Sequence, residues 1–460
     1  MIARRFVGAS LLPVLVVVIS SGARVIAGLV LAALVAVGIA VVAWWRFRYR
    51  VAAGRLELHS GVVGRHVRTI PVDRVRGVVV TEPFFHRLLG LVRVEVEAAA
   101  GGESDAELSL AAVSRAEAEQ LREVLLGTKV GAEHVAEPAT LYRATPGLLA
   151  VGGITSLSYL LAPAAVIGVV FNLADDLPGG FVERGGRELL DHVPTHPLGI
   201  SVAVGVGIGL VLAIAAFGSL LVDWRFTLTD DGERLTAVRG LLTRRVVVVD
   251  RDRIRGTDVR DTPLRRPLRI ASVTAIAAGL RGRSGGTTLA PVLARADTAA
   301  LIRAVDPPAP DPDAPLTPHP PPARRRRLQR ALAVPLALLA VDAAFREWWA
   351  ITIPLVLAAL AVVVARDRFR QLGHGYDGRR LTLREGSLRR RWSELDPSGI
   401  VAYDLRSSPG QRRAGVCTVT VHLGQGAGSR RALDAGEGQA AALLAALEPR
   451  LLAPLVSAEE

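Results

Sequence analysis

The sequence predicts a mixed membrane α + β architecture: six transmembrane helices in three hairpins, each followed by a β-rich unit that a C-terminal helix closes. Three observations carry this. A pattern of short strands and turns occurs three times in 460 residues. Each occurrence follows an apolar region long enough to cross a bilayer twice. The arginines supply the net charge of +13 almost alone, since Lys129 is the only lysine, and they gather at one end of these apolar regions.

The pattern is clearest between Arg48 and Val96. Leu56-x-Leu58-x-x-Gly61 is followed by Pro71-x-Asp73-Arg74-Val75-Arg76-Gly77, then by Pro83 and the alternation Val92, Val94, Val96. It returns 179 positions later, with Leu235, Gly240 and Asp252-Arg253-Ile254-Arg255-Gly256 in the corresponding places and Pro263 where Pro83 stood. A fainter copy runs through Leu381-x-Leu383-x-x-Gly386, Ile400 and Pro409, with Asp396 in place of Pro71 and Gly399 in place of Arg74. A repeat of this kind sets the architecture before any single element is assigned. Gly61, Gly240 and Gly386 each follow an alternating strand, where a turn uses positive φ. Pro71 and Pro83 fit strand starts or edges, because proline cannot donate in a ladder.

In chain order, residues 1–45 form the first hairpin from the apolar runs Val7–Ile19 and Val25–Trp45. A cleaved signal peptide is set aside because a second apolar run follows Arg24 at once. The second run has the length of about 20 residues that a spanning helix needs, and Trp44-Trp45 suits the interfacial aromatic belt. Residues 46–130 are the first soluble unit. In it Ser114-x-x-Glu117 reads as a capping box, Ala118, Leu121, Val124 and Leu125 share one helical face, and Gly127 is placed to end that helix. Residues 147–222 are the second hairpin, from Gly147–Leu173 and Leu198–Val222 around an acidic loop. Residues 223–306 are the second soluble unit, with a closing helix near Asp297–Val305. Residues 307–323 are a proline-rich linker whose composition favours an extended spacer with no core. Residues 331–365 are the third hairpin, broken at Phe345–Trp349, and residues 366–453 the third unit, closed by a helix near Gln439–Leu452. The positive-inside rule places all three units and both termini in the cytoplasm of a plasma-membrane protein.

This order of hairpin and domain, with the Leu-x-Leu-x-x-Gly…Pro-x-x-Arg-Val-x-x-Val…Pro sequence of the first copy, resembles the bacterial pleckstrin-homology-like, membrane-flanked domain family. The resemblance covers most of the chain. It implies a PH-like β-sandwich or barrel in each unit, two near-orthogonal antiparallel sheets capped by a C-terminal helix, in a multi-pass membrane protein. The departures at Asp396 and Gly399 leave open whether the third copy shares a ligand with the other two.

The residue types exclude most chemistry. Cys417 stands alone, so no internal disulfide forms, and the nine histidines lack metal-ligand spacing. No nucleophile elbow, phosphate loop or paired-carboxylate motif is present, so the expectation is no enzyme, no cofactor and no metal. Nucleic-acid binding lacks an aromatic platform in the soluble units. Gly205-x-Gly207-x-Gly209 lies within a span and reads as a helix-packing feature. Candidate contacts to anionic headgroups or to a protein partner are Arg65, Arg68, Arg74 and Arg76 with Arg244, Arg245, Arg253 and Arg255, since juxtamembrane basic side chains attract anionic lipid. The competing reading is a solvated strand edge whose charge discourages pairing. Arg324–Arg327 read first as a topology anchor. Asp342 is an intramembrane polar candidate that Arg346 would pair. The function expected is a non-enzymatic membrane protein presenting its domains to lipid or protein; the alternative is a component of a transporter, for which Asp342 would be required.

Overall fold

The computed structural model describes residues 35, 38, 48–52, 54–60, 66–72, 75–98, 107–126, 138–161, 196–277, 287–345, 351–424 and 428–448. The chain divides into two units, residues 1–74 with 156–219 and residues 75–155 with 220–460. In the first unit β1 (Arg48–Ala52), β2 (Arg55–Ser60) and β3 (His66–Pro71) form an antiparallel sheet in that order. The alternation seen in the sequence buries Leu56, Leu58 and Ile70, as a period of two requires of a sheet with one covered face.

The second unit begins with β4 (Val75–Glu82), the short helix α1 (Phe84–Leu88), β5 (Leu91–Ala98), β6 (Glu107–Ser114) and α2 (Arg115–Leu126). Pro83 ends β4 and caps α1, so it terminates a strand where the sequence allowed a start or an edge. The capping box forms: the Glu117 amide donates to Ser114 Oγ at 3.2 Å, and the Ser114 amide donates to the Glu117 carboxylate at 3.1 Å. Ala118, Leu121 and Leu125 are buried, whereas Val124 is exposed, so the covered face is narrower than the periodicity indicated.

β7 (Ala139–Arg143) and α3 (Pro146–Ile154) follow, then α4 (Pro197–Asp223), which runs from the first unit into the second. The second repeat continues with β8 (Thr227–Asp230), β9 (Arg234–Arg239), β10 (Arg244–Asp250), β11 (Ile254–Asp261), β12 (Ile270–Ala277), β13 (Thr287–Ala294) and α5 (Thr298–Val305). The third comprises β14 (Thr317–Pro318), α6 (Pro321–Phe345), α7 (Thr352–Arg370), β15 (Gly373–Tyr376), β16 (Leu381–Glu385), β17 (Arg390–Leu395), β18 (Ile400–Arg406), α8 (Pro409–Arg412), β19 (Val416–Leu423), β20 (Ser429–Gly436) and α9 (Glu437–Leu447).

Each of the last two repeats closes its own core between two sheets. Phe226, Leu228 and Leu235 meet Val273, Leu289 and Ile302 in the second repeat; Leu381, Leu383 and Leu395 meet Val419, Val421 and Leu443 in the third. The proline-rich stretch does more than space these cores. Thr317-Pro318 pairs with β15, and Ala309 is buried in the core of the second repeat.

The repeats are joined edge to edge. One seven-stranded sheet runs β6-β5-β4-β10-β9-β8-β7 and another β13-β12-β11-β17-β16-β15-β14, leaving β18-β19-β20 as a three-stranded sheet. Thus the second half-sheet of one repeat pairs with the first half-sheet of the next, through β4 with β10 and β11 with β17. The two junctions share one register. Gly77 faces Val249 and Glu82 faces Arg244 in the first; Gly256 faces Leu395 and Asp261 faces Arg390 in the second.

The six-helix membrane architecture is not what the structure holds. Among the described residues one helix, α4, is long and apolar enough to cross a membrane. The segment read as the third span, residues 147–173, opens with α3, whose Leu149 and Gly152 pack into the second repeat and whose last turn stops at Ile154; residues 157–161 are helical again, and residues 162–173 lie outside the described residues. Arg265 fixes that stop, donating to the Gly152 carbonyl at 3.2 Å and to Thr155 Oγ1 at 3.3 Å. In α6 and α7 the apolar stretches are residues 331–341, between Arg330 and Asp342, and residues 352–365, which end at Arg366. Both fall short of the roughly 20 residues a bilayer demands. The first hairpin lies outside the described residues apart from Val35 and Gly38. The β-rich repeats of the sequence reading stand, but the sheets of successive repeats continue into one another.

Candidate membrane-proximal site and repeat junctions

The C-terminal end of α4 organises one end of the second repeat. Trp224 and Arg225 leave the helix, Arg225 at φ +50, and the Gly240 amide donates to the Trp224 carbonyl at 3.0 Å. The Leu241 amide donates to the Leu221 carbonyl, also at 3.0 Å. The tip of the β9–β10 hairpin is therefore stitched to the last turn of the apolar helix. Gly240 is required there: its φ is +105, and a Cβ would stand 2.0 Å from the Thr243 carbonyl. Leu241 and Leu242 remain exposed at this tip, as do Leu88 and Leu89 of the first repeat, whose Arg87 donates to the Leu241 carbonyl. On α4 itself Val202, Val204, Val206, Ile208 and Leu210 are exposed.

Beside this tip lies a cavity of about 420 Å³ lined by Arg143, Ala144, Pro146, Trp224, Arg225 and Thr227. Arg143 ends β7 and Arg225 precedes β8; these strands pair, with Arg143 opposite Thr227, so the sheet brings both arginines to the lining of one cavity. No carboxylate pairs with either among the described residues. Two cations, an indole and a proline ring at the end of an apolar helix suit a phosphate with an apolar neighbour.

The arginine motif lies elsewhere, at the opposite end of β10. Arg253 donates to the Val75 carbonyl at 2.6 Å and pairs with Asp250 at 3.1 Å, fastening the first repeat to the second. Arg255 reaches Ser398 Oγ at 3.1 Å and Asp396 at 3.4 Å, fastening the second to the third. Gly256 sits at φ +146 in a bulge, where a Cβ would stand 2.0 Å from the Glu394 carbonyl. A bulge at the start of the joining strand lets its edge turn toward the next repeat.

The two junctions differ in their side chains. The first is a valine ladder, Val78, Val79 and Val80 against Val248, Val247 and Val246. The second is polar and buried. Asp258 accepts from Ser393 Oγ at 2.6 Å and from Arg430 at 2.8 and 3.1 Å, and pairs with Arg260 at 2.8 Å. Burial alone would raise its carboxyl; Arg430, Arg260 and Arg391 outweigh that and hold it below the usual range. Next to it Arg380 serves three carboxylates, Asp306 at 2.6 Å, Glu394 at 3.0 Å and Asp396 at 3.2 Å. Burial, then the nearby Asp306, push Glu394 up to about 8. With Arg255 also on Asp396, two cations face three carboxylates, so a proton stays in the cluster.

A model of the bacterial PH domain matches residues 7–129, 168–308 and 331–450, which is most of the chain. The chain belongs to the bacterial PH domain family. It is also similar to the UPF0699 transmembrane protein YdbT of Bacillus subtilis (strain 168), at 21% identity over 259 residues, 53% of this chain and 52% of that protein. The chain thus spans about half the length of that curated relative. No solved structure matches it.

Against this PH framework the sequence-derived candidates separate. Arg244 and Arg245 open β10 beside the leucine tip, Arg244 exposed and opposite Glu82. Arg253 and Arg255 lie about 20 Å further along the strand direction, given the rise per residue of an extended chain. Arg68 is exposed in β3, opposite Leu58. Arg65, Arg74 and the side chain of Arg76 lie outside the described residues. Within the second unit, Arg244 and Arg245 thus lie at one end of β10 and Arg253 and Arg255 beyond the other. Asp342 is half-buried in α6, and its expected partner Arg346 lies outside the described residues. A Cβ at Gly205, Gly207 or Gly209 would meet nothing within 4 Å, so no described helix packs on that stripe. Of the Arg324–Arg327 run, Arg326 and Arg327 turn inward to the buried Asp434, at 3.3 and 3.0 Å. Arg143, Trp224 and Arg225 belong to none of the motifs of the sequence. Their convergence depends on β7 pairing with β8 across more than eighty residues, which no local pattern announces.

Proposed function

We propose that the protein is a non-enzymatic scaffold anchored in the plasma membrane by α4, whose linked PH-like repeats stand on the cytoplasmic face. In this reading the Arg143–Trp224–Arg225 cavity holds the phosphate of an anionic phospholipid. The observation that carries it is the position of this cavity at the end of an exposed apolar helix, beside leucines left bare at a hairpin tip. The acidic stretch before α4 and the arginines after it favour a cytoplasmic C-terminal end for that helix. The family match and the name of the Bacillus relative, a transmembrane protein, support membrane association.

Native mass spectrometry of the full chain, released from mixed phosphatidylglycerol and phosphatidylcholine nanodiscs, tests this. Each juxtamembrane cation contributes about 1 kcal/mol, so losing two weakens anionic-lipid retention roughly thirtyfold. Arg143→Ala with Arg225→Ala is expected to abolish the preference for phosphatidylglycerol, while Arg253→Ala leaves it intact. An unchanged preference in the double variant overturns the assignment. Displacement of the lipid by an equal concentration of inorganic phosphate would make the cavity a site for free anions instead.

A further inference from the structure

The chain joins its repeats by one rule, applied twice. The first strand of a repeat's second half-sheet pairs with the last strand of the next repeat's first half-sheet, in a register that is the same at every one of the described positions. Two strands of these classes are left over. β18 corresponds to β4 and β11, and β3 corresponds to β10 and β17, yet among the described residues each ends the strand order of a three-stranded sheet. We propose that β18 of one chain pairs with β3 of a second copy, extending the repeat junction from one molecule to the next. This goes beyond the membrane-anchoring reading and does not depend on it.

Carrying the shared register onto the leftover strands sets Tyr403 against Thr69, Asp404 against Arg68 and Leu405 against Val67. The side chains fit. Leu405 is 56% exposed and Val67 55% exposed, so each edge strand carries a bare apolar residue at the matching position. Asp404 meets an arginine, where the second internal junction sets Asp258 against Ser393 and close to Arg391. Within its own chain Asp404 is engaged by Arg406 at 2.7 Å, a contact on the surface that a pairing strand can share. Ala402 occupies the place of Gly256, whose Cβ would collide with the partner strand, so pairing begins one residue later, at Tyr403. Neither edge carries a lysine, and the one proline, Pro71 at the end of β3, lies outside the Val67–Thr69 stretch that would pair, so both edges offer a template for another strand. A junction between unlike edges is heterologous, and it closes into a ring or continues as a filament.

The test uses two differently tagged full-length copies, both carrying Cys417→Ser, co-expressed in one membrane. One carries Val67→Cys and the other Leu405→Cys. Mild oxidation of the membranes is expected to give a disulfide-linked heterodimer of the two tags, while the off-register pair Thr69→Cys with Leu405→Cys gives at least fivefold less. Separately, Leu405→Lys is expected to shift the detergent-solubilised protein from an oligomer to a monomer by light scattering, with its circular dichroism unchanged. Three results overturn the proposal: no linkage between the tags, linkage of Leu405→Cys copies to each other, or a wild-type chain that is already monomeric. The last would indicate that a different protein occupies these edges.

Discussion

Replacing Glu394 by Gln should make the protein more stable at neutral and alkaline pH, although it removes a buried acid that touches an arginine. Glu394 is fully buried in β17, accepts from Thr257 Oγ1 at 3.2 Å, and shares Arg380 with Asp306 and Asp396. Its folded pKa is raised from 4.5 to about 8, by burial first and by Asp306 second. The folded state therefore keeps a proton that the unfolded chain releases between pH 4.5 and about 8. Stability is full below that window and falls as pH rises through it. At pH 7 the cost is of the order of 3 kcal/mol, from two and a half pH units at about 1.4 kcal/mol each. Gln stays neutral, still accepts from Thr257 and can donate to Asp306, so it should carry none of this slope. Thermal unfolding of the detergent-solubilised chain between pH 5 and 8.5 reads the difference. The wild type should lose several degrees across the range and the variant little, the two curves separating most at the alkaline end. Parallel curves would refute the argument that a proton is trapped in the cluster.

Two further perturbations follow from the same geometry. His319 and His374 are buried with Nε2 and Nδ1 3.0 Å apart, and His319 Nδ1 lies 2.9 Å from the Leu433 carbonyl, an arrangement that requires at least one neutral ring. Burial and the His374 charge lower His319 from 6.5 to about 4, so here stability is lost as pH falls through that window. His319→Asn keeps a donor for Leu433 and should lower the midpoint of acid unfolding followed by circular dichroism; an unmoved midpoint argues against the pair as the acid-sensitive element. Gly256→Ala places a Cβ 2.0 Å from the Glu394 carbonyl, whereas Gly378→Ala, at φ +87, meets open space. The first should cost about 3 kcal/mol or more and open the β11–β17 edge, the second about 1 kcal/mol from positive φ alone. Hydrogen exchange should show lost protection in β11 and β17 with β15–β16 retained only for the first; equal effects would contradict the junction role.

The β-rich repeats were legible because each uses local signals: alternation at Leu56 and Leu58, the turn glycines Gly240 and Gly386, and the capping box at Ser114 and Glu117. Those features depend on residues within a few positions of one another, and the structure keeps them. The equal spacing of Arg74-Val75-Arg76-Gly77 and Arg253-Ile254-Arg255-Gly256 showed that the motif mattered, but not for what.

The sequence by itself determined three repeats, their strand pattern and their closing helices, but it read six membrane spans where the described residues hold one helix able to cross. Tertiary structure decided the rest. Hydropathy counts apolar residues without saying what covers them, so α3, with Leu149 against the second repeat, read the same as a span. Strand pairing between repeats is set by which edges are left open after each core closes, a property of the whole sheet. That is why the bulge at Gly256, the buried Asp258 and the Arg143–Arg225 cavity became visible only once β4 had met β10, β11 had met β17 and β7 had met β8.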